Sequence, residues 1–217
     1  DDFMNKRSDY NFIETKREYI NTIICELCKK AIEKGYDYNE LQVLVPMYKG
    51  INGIDNLNNK LQEIFNPKNN IKDEYVYNET IFREGDKVLQ TKNISDLEIS
   101  NGDIGIIDSI TLINKNDVKA VINFDGVIVE FNKKNFEDLK LGYAISIHKS
   151  QGSEFNLVIM PMDSAHKRML YRKLLYTGIT RAKKSLTLVG ERDAFIYGTS
   201  NVDNGRNTLL KDLLKDV

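Results

Sequence analysis

The chain has no tryptophan, three prolines, two cysteines and two histidines in 217 residues. Two thiols are too few for the disulfide frameworks that hold small secreted domains together. Both belong to one Cys-x-x-Cys, Cys25 and Cys28, and no second ligand pair exists; His148 and His166 lie far away in sequence. No metal ligand is therefore assigned. The thiols fall instead within residues 14–34, where Ile20, Ile23, Ile24, Leu27 and Ala31 recur at helical spacing. An excess of either charge is missing too: 31 Lys and Arg face 32 Asp and Glu, for a net charge of −1. No overall field announces a nucleic-acid partner, although lysines pair locally at Lys133-Lys134 and Lys183-Lys184. No apolar stretch approaches the roughly 20 residues that span a bilayer. The opening residues 1–7 lack the apolar core of a signal peptide, so a cytoplasmic location without a membrane partner is expected.

What is present is an α/β pattern interrupted in its middle. Residues 10–14 read as a strand, followed by the amphipathic helix that Gly35 stops. The apolar run 41–45 is the pattern of a strand covered on both faces, and Pro46 ends it. A second helix is expected over 54–65, with Asn66-Pro67 as its stop. From 83 to 140 the helical period gives way to short alternating strands. The clearest hairpin joins 118–124 to 127–131 through Asp125-Gly126, a pair suited to a type I′ turn. Strands are expected again at 143–147, 157–160 and 186–189, with a helix around 167–176 and a closing helix over 208–214. The expected organisation is one discontinuous α/β domain, residues 1–82 with 141–217, carrying a small antiparallel β-barrel inserted at 83–140.

Two partial motifs fail. The string from Gly178 to Ser185 has the outline of a phosphate-binding loop, but Lys183 stands where the second glycine must let backbone amides curl around phosphate. Residues 158–162 followed by Asp163 have the outline of a magnesium-holding strand, yet Pro161 intervenes and no phosphate loop precedes it. The chain alone is expected neither to bind nor to hydrolyse ATP. The strings Ile-Ser-Ile-His-Lys-Ser-Gln-Gly-Ser-Glu-Phe (145–155) and Leu-Tyr-Thr-Gly-Ile-Thr-Arg-Ala (175–182) are more specific. Each breaks an apolar run with polar residues that a core does not require. Imidazole, ammonium and hydroxyl groups after a buried strand suit phosphate and sugar oxygens. Arg181 offers a planar, permanently charged fork suited to a triphosphate. Taken singly, each of these side chains is more often solvated or ion-paired.

Together and in this order the two strings resemble the last motifs of superfamily 1 DNA helicases, and the first closely resembles that of the RecD-like family (the exodeoxyribonuclease V alpha-subunit family). Residues 42–50 and 53–58 are similar to the family's fourth motif, with Lys49 where relatives often carry arginine. Residues 85–90 and 101–105 resemble the start of its inserted barrel of the Src-homology-3 type. The resemblance implies a second RecA-like domain, a P-loop NTPase-like parallel sheet flanked by helices. It implies Arg181 as an arginine finger, and Glu154, Gly152 and Lys49 on the nucleotide side. Ser146, His148, Lys149, Ser150 and Gln151 would face single-stranded DNA. It further implies that ATP and magnesium are held mainly by an N-terminal RecA-like domain of the same parent chain. Such a motor would travel 5′ to 3′ and unwind duplexes in repair and recombination. Two alternatives stay open. One is a UvrD-like translocase of opposite polarity, in which a large helical insert would replace the barrel. The other is a non-catalytic single-strand-binding module.

Overall fold

The computed structural model describes residues 2–114 and 117–202. The closing helix expected at 208–214 lies outside the described residues. Strand β1 (Tyr10–Glu14) leads through a 3-10 turn into helix α1 (Ile20–Glu33), whose buried stripe includes Ile20, Ile24 and Cys28. Cys28 thus belongs to the core, and burial pushes its thiol well above the ordinary range. Strand β2 (Leu41–Val45) is buried at every position, and helix α2 (Ile54–Phe65) runs as the sequence pattern requires.

The chain then becomes antiparallel. A hairpin of β3 (Glu74–Tyr77) and β4 (Thr80–Arg83) precedes β5 (Lys87–Gln90), β6 (Ile104–Asn114), β7 (Asp117–Phe124), β8 (Val127–Asn132) and β9 (Leu139–Leu141). The last five form one sheet in the order β8-β7-β6-β5-β9. Strand β7 alternates exposed and buried residues along its first half, the signature of a sheet with one wet face, whereas β2 shows none. Asp125 and Gly126 both take positive φ, as the two-residue hairpin demands. The β3-β4 hairpin lies N-terminal to the boundary expected at residue 83. It packs on the insert through Tyr75 and Phe82, whose rings lie 4.8 and 5.2 Å from that of Phe136.

Strands β10 (Ala144–Ser146) and β11 (Phe155–Met162), helix α3 (Arg172–Ile179), strand β12 (Ala182–Gly190) and helix α4 (Arg192–Ser200) complete the core. Two expectations need correction. The strand expected over 143–147 ends at Ser146, whose hydroxyl accepts from the Lys149 amide and turns the chain into a 3-10 segment, Ile147–Ser150. The helix expected around 167–176 is two pieces. Asp163 caps a 3-10 segment, Ser164–Met169, and extended backbone at Tyr171 separates it from α3. The core sheet is entirely parallel, in the order β1-β12-β11-β2-β10. Successive residues of β11 serve opposite cores: Val158 and Met160 face one cluster with Leu174, while Ile159 faces another with Ile24 and Leu57.

Core and insert meet at two buried charges. Asp86 is wholly buried, and burial raises its pKa, yet its carboxylate accepts four hydrogen bonds. The donors are Gln62 Nε2 at 2.6 Å, Asn66 Nδ2 at 2.7 Å, the Arg83 amide at 2.7 Å and the Tyr143 hydroxyl at 2.9 Å. Beside it, Lys87 reaches back from β5 and donates to the carbonyls of Leu41 at 3.1 Å and Tyr38 at 3.3 Å. Burial pushes its ammonium down to about 7. A lysine in an unfolded chain stays protonated to about pH 10. Above pH 7 the folded state therefore holds fewer protons than the unfolded one, and stability rises with pH. The raised thiol of Cys28 opposes this only once unfolded cysteine ionises, near pH 8.5. We expect unfolding free energy to rise by about 1–2 kcal/mol between pH 7 and 8.5, followed by urea titration. Lys87→Met should flatten that rise; a wild-type profile flat over this window contradicts the assignment.

Candidate functional site

Because the core strands are parallel, they share one starting edge and one finishing edge. Phe155 opens β11 opposite Ala182, which opens β12. The residues immediately before them, Glu154 and Arg181, therefore lie side by side on the starting edge. The Phe155 amide donates to the Arg181 carbonyl at 2.8 Å. The Arg181 guanidinium donates to the Ser153 carbonyl at 3.1 Å, the Thr177 carbonyl at 3.2 Å and the Thr180 hydroxyl at 3.2 Å. All three acceptors are neutral, and no carboxylate pairs with it among the described residues. Glu154 is half exposed and pairs with Lys183 at 3.4 Å, a contact that solvent makes weak. A cavity of about 760 Å³ opens beside Glu154, between Ser153 and Phe155 on the core and the Asp125-Gly126 turn of the insert. The string from Gly178 to Ser185 runs from helix into strand, the reverse of the strand-then-helix order a phosphate loop requires.

The finishing edge carries the other candidates. His148 is exposed, and its Nε2 lies 3.3 Å from the Tyr171 hydroxyl at the head of α3. Lys149 is half buried; its ammonium donates to Asn101 Oδ1 and, at 3.5 Å, to the Thr91 carbonyl. Burial, and then the nearby charge of Lys140, lowers its pKa. Lys49 is exposed on the loop after β2, which doubles back so tightly that a Cβ on Gly53 would stand 2.4 Å from the Tyr48 carbonyl. Gln151 and Gly152 are exposed, and Gly152 has φ +92°. Ser150 corrects an expectation. It is wholly buried, and its hydroxyl donates to the Ile147 carbonyl at 2.7 Å, closing the 3-10 turn rather than facing a strand. Ser146 is also mostly buried and acts as the cap of that turn.

The candidate side chains are thus divided between two edges. Lys49 lies on the finishing edge, apart from Glu154 and Arg181. Loop 147–154 joins the two groups and packs against α3. Sequence reasoning overlooks Lys140 and Tyr48. The Lys140 ammonium sits 5.4 Å from the ring centre of half-exposed Tyr48, which adds an aromatic face and a second charge beside Lys149. Each residue alone is an ordinary surface side chain, so no local signal marks the pair. Asp163 is buried, with its oxygens taken by Asn52 Nδ2 at 2.9 Å, the Ala165 amide at 2.8 Å and Arg17 at 3.3 Å. It serves as a structural acceptor.

A five-stranded parallel sheet with helices on both faces, interrupted by a small antiparallel sheet and carrying at its starting edge an arginine held by neutral groups, defines a RecA-like domain with an insert. Comparison with known proteins agrees. Residues 57–124 match the description "ATP-dependent RecD-like DNA helicase SH3 domain", and residues 141–189 match "UvrD-like helicase C-terminal domain". The chain is 36% identical over 176 residues to the "ATP-dependent RecD2 DNA helicase" of Deinococcus radiodurans, covering 81% of this chain and 23% of that protein. It is 34% identical over 170 residues to the "RecBCD enzyme subunit RecD" of Buchnera aphidicola subsp. Acyrthosiphon pisum, covering 77% of this chain and 27% of that one. A solved structure of two coordinating Pif1 helicases at forked DNA aligns with 20% identity and a TM-score of 0.49, over 94% of this chain and 52% of that one. The chain belongs to the RecD-like helicases. It spans about a quarter of the length of the curated relatives it matches. Among the described residues no helix is long and apolar enough to cross a membrane.

Proposed function

We propose that this chain is the C-terminal motor portion of an ATP-dependent DNA helicase that moves along single-stranded DNA and unwinds duplexes. The observation that carries this reading is the placement of Arg181 beside Glu154, with a guanidinium satisfied only by neutral groups. A cation so placed can exchange carbonyl acceptors for a triphosphate, because hydrogen bonds between ionised partners are the stronger. In the complete polypeptide, an N-terminal RecA-like domain supplies the phosphate loop and the magnesium ligands. Closure of the two motor domains brings Arg181 to the γ-phosphate, while Glu154 meets the ribose and Gly152 lets the loop backbone approach. His148, Lys149 and Gln151 face the strand, and the exposed patch of Lys49, Tyr48 and Lys140 extends that surface. Lys49 lies on the opposite edge from Arg181, so it is read as part of the strand-facing surface rather than of the nucleotide side. We read residues 1–82 with 141–217 as the motor core and 83–140 as the insert, with the β3-β4 hairpin as its apron. Kinship with the RecD-like family supports 5′-to-3′ travel and a role in repair or recombination.

The test compares DNA-stimulated ATP hydrolysis by this chain and by the complete polypeptide. The chain alone should show none, and the complete polypeptide should be stimulated by single strands. Turnover by the isolated chain at even ~1 s⁻¹, the low end of ordinary enzyme rates, would show that it is not half of a site.

A further inference from the structure

The motor core touches the insert through a contact that neither partial motif explains. Lys149, in the middle of loop 147–154, sends its ammonium to Asn101 Oδ1 and the Thr91 carbonyl, both in the insert. Behind that contact, the Lys149 carbonyl lies 3.1 Å from where a Cβ on Gly102 would stand, and Gly102 has φ +109°. Only glycine fits a turn pressed so closely on the loop. The turn is itself stiff. The Asn101 amide donates to Asn93 Oδ1 at 2.7 Å, the Gly102 amide to the Gln90 carbonyl at 2.9 Å, and the Ser100 amide to Asp103 Oδ2 at 2.7 Å. The backbone that carries the Asn101 side chain is thus held in place opposite Lys149.

Both acceptors on Lys149 are neutral, and no carboxylate pairs with it among the described residues. Its charged neighbour Lys140 repels it. A half-buried ammonium held by an amide is a weak latch, because a phosphate offers the same hydrogen bond with a full opposite charge. From this we infer that the insert turn and a nucleic-acid phosphodiester compete for Lys149: strand binding draws the ammonium off Asn101 and releases the turn from the motor core. Lys149 is then a positioning residue for the insert when no strand is bound, and a phosphate contact when one is. The inference rests on the reading that loop 147–154 faces the strand.

Asn101 decides the matter, because its two obvious replacements act in opposite directions. Affinity for a fluorescently labelled oligo-deoxythymidine strand is measured by anisotropy in the complete polypeptide. Asn101→Ala removes the competitor and should tighten binding about threefold; Asn101→Asp turns the latch into an ion pair and should weaken it about tenfold. Lys149→Met should weaken binding and make it indifferent to both Asn101 changes. The three variants alter side chains at an exposed turn and a half-buried loop, and thermal unfolding verifies that each is folded. If Asn101→Ala weakens binding or leaves it unchanged while Lys149→Met still weakens it, the competition is wrong and the strand-facing loop stands. If Lys149→Met leaves the affinity at the wild-type value, the reading of Lys149 as a strand contact fails along with the competition.

Discussion

Arg181→Ala should lower single-turnover ATP hydrolysis by the complete polypeptide about a thousandfold, the loss expected of the arginine finger proposed above. The effect follows from where the Arg181 guanidinium stands. Its three hydrogen bonds go to Ser153, Thr177 and Thr180, which hold it at the starting edge without neutralising it. Negative charge gathers on the transferred phosphoryl group only as the bond breaks, so a cation arriving on domain closure stabilises the transition state more than bound ATP. Affinity for ATP should fall far less than the rate, since in the proposed motor the other RecA-like domain holds most of the nucleotide. Arg181→Lys should recover little, because an ammonium lacks the planar fork. The measurement is single-turnover hydrolysis beside equilibrium binding of a nucleotide analogue. Normal hydrolysis in Arg181→Ala, or a loss explained wholly by weaker binding, removes Arg181 from the role.

The second large effect is on stability. Asp86→Ala should cost about 3–5 kcal/mol of unfolding free energy, the scale for leaving two buried donors without an acceptor at about 1–3 kcal/mol each. Four donors converge on that carboxylate, and only two keep another acceptor: Gln62 also donates to the Ile81 carbonyl and Asn66 to the Glu84 carbonyl. The Tyr143 hydroxyl and the Arg83 amide would be left buried and unsatisfied. Asp86→Asn should cost less, since one amide oxygen can still accept from one pair of donors. Denaturant unfolding followed by circular dichroism reads both, and a shift below about 1 kcal/mol for Asp86→Ala would mean that water replaces the carboxylate.

Local pattern makes most of the elements legible. β1, β2 and α2 are read from the sequence with the bounds the structure gives, because a short apolar run, a helical stripe and a proline or Asn-Pro stop are local signals. The Asp125-Gly126 hairpin is legible for the same reason. The two strings around His148 and Arg181 are visible as polar interruptions of apolar runs. The meeting of Glu154 with Arg181 is not visible, because it depends on parallel register between β11 and β12, which no local pattern encodes. Ser150 misleads for a related reason: a serine in a polar string looks solvated, and only the three-residue return to the Ile147 carbonyl buries it. The Asp86 network spans 57 residues between its aspartate and Tyr143, and the Lys149 latch spans 48 between lysine and Asn101. Neither separation leaves a trace in composition or period.

The seam of the insert has an evolutionary consequence. β5 and β9 pair with each other, Val88 with Leu141 and Gln90 with Leu139, so the polypeptide departs from the core and returns to it through adjoining strands. A lineage can therefore lengthen, trade or discard what lies between by a single genetic event, without threading a new strand through the parallel sheet. Substitutions at the seam are constrained by contrast, since a side chain on Gly142 would stand 2.9 Å from the Val88 backbone. Divergence should accumulate along the far strands of the barrel, and the joint itself should be the slowest part of the insert to change.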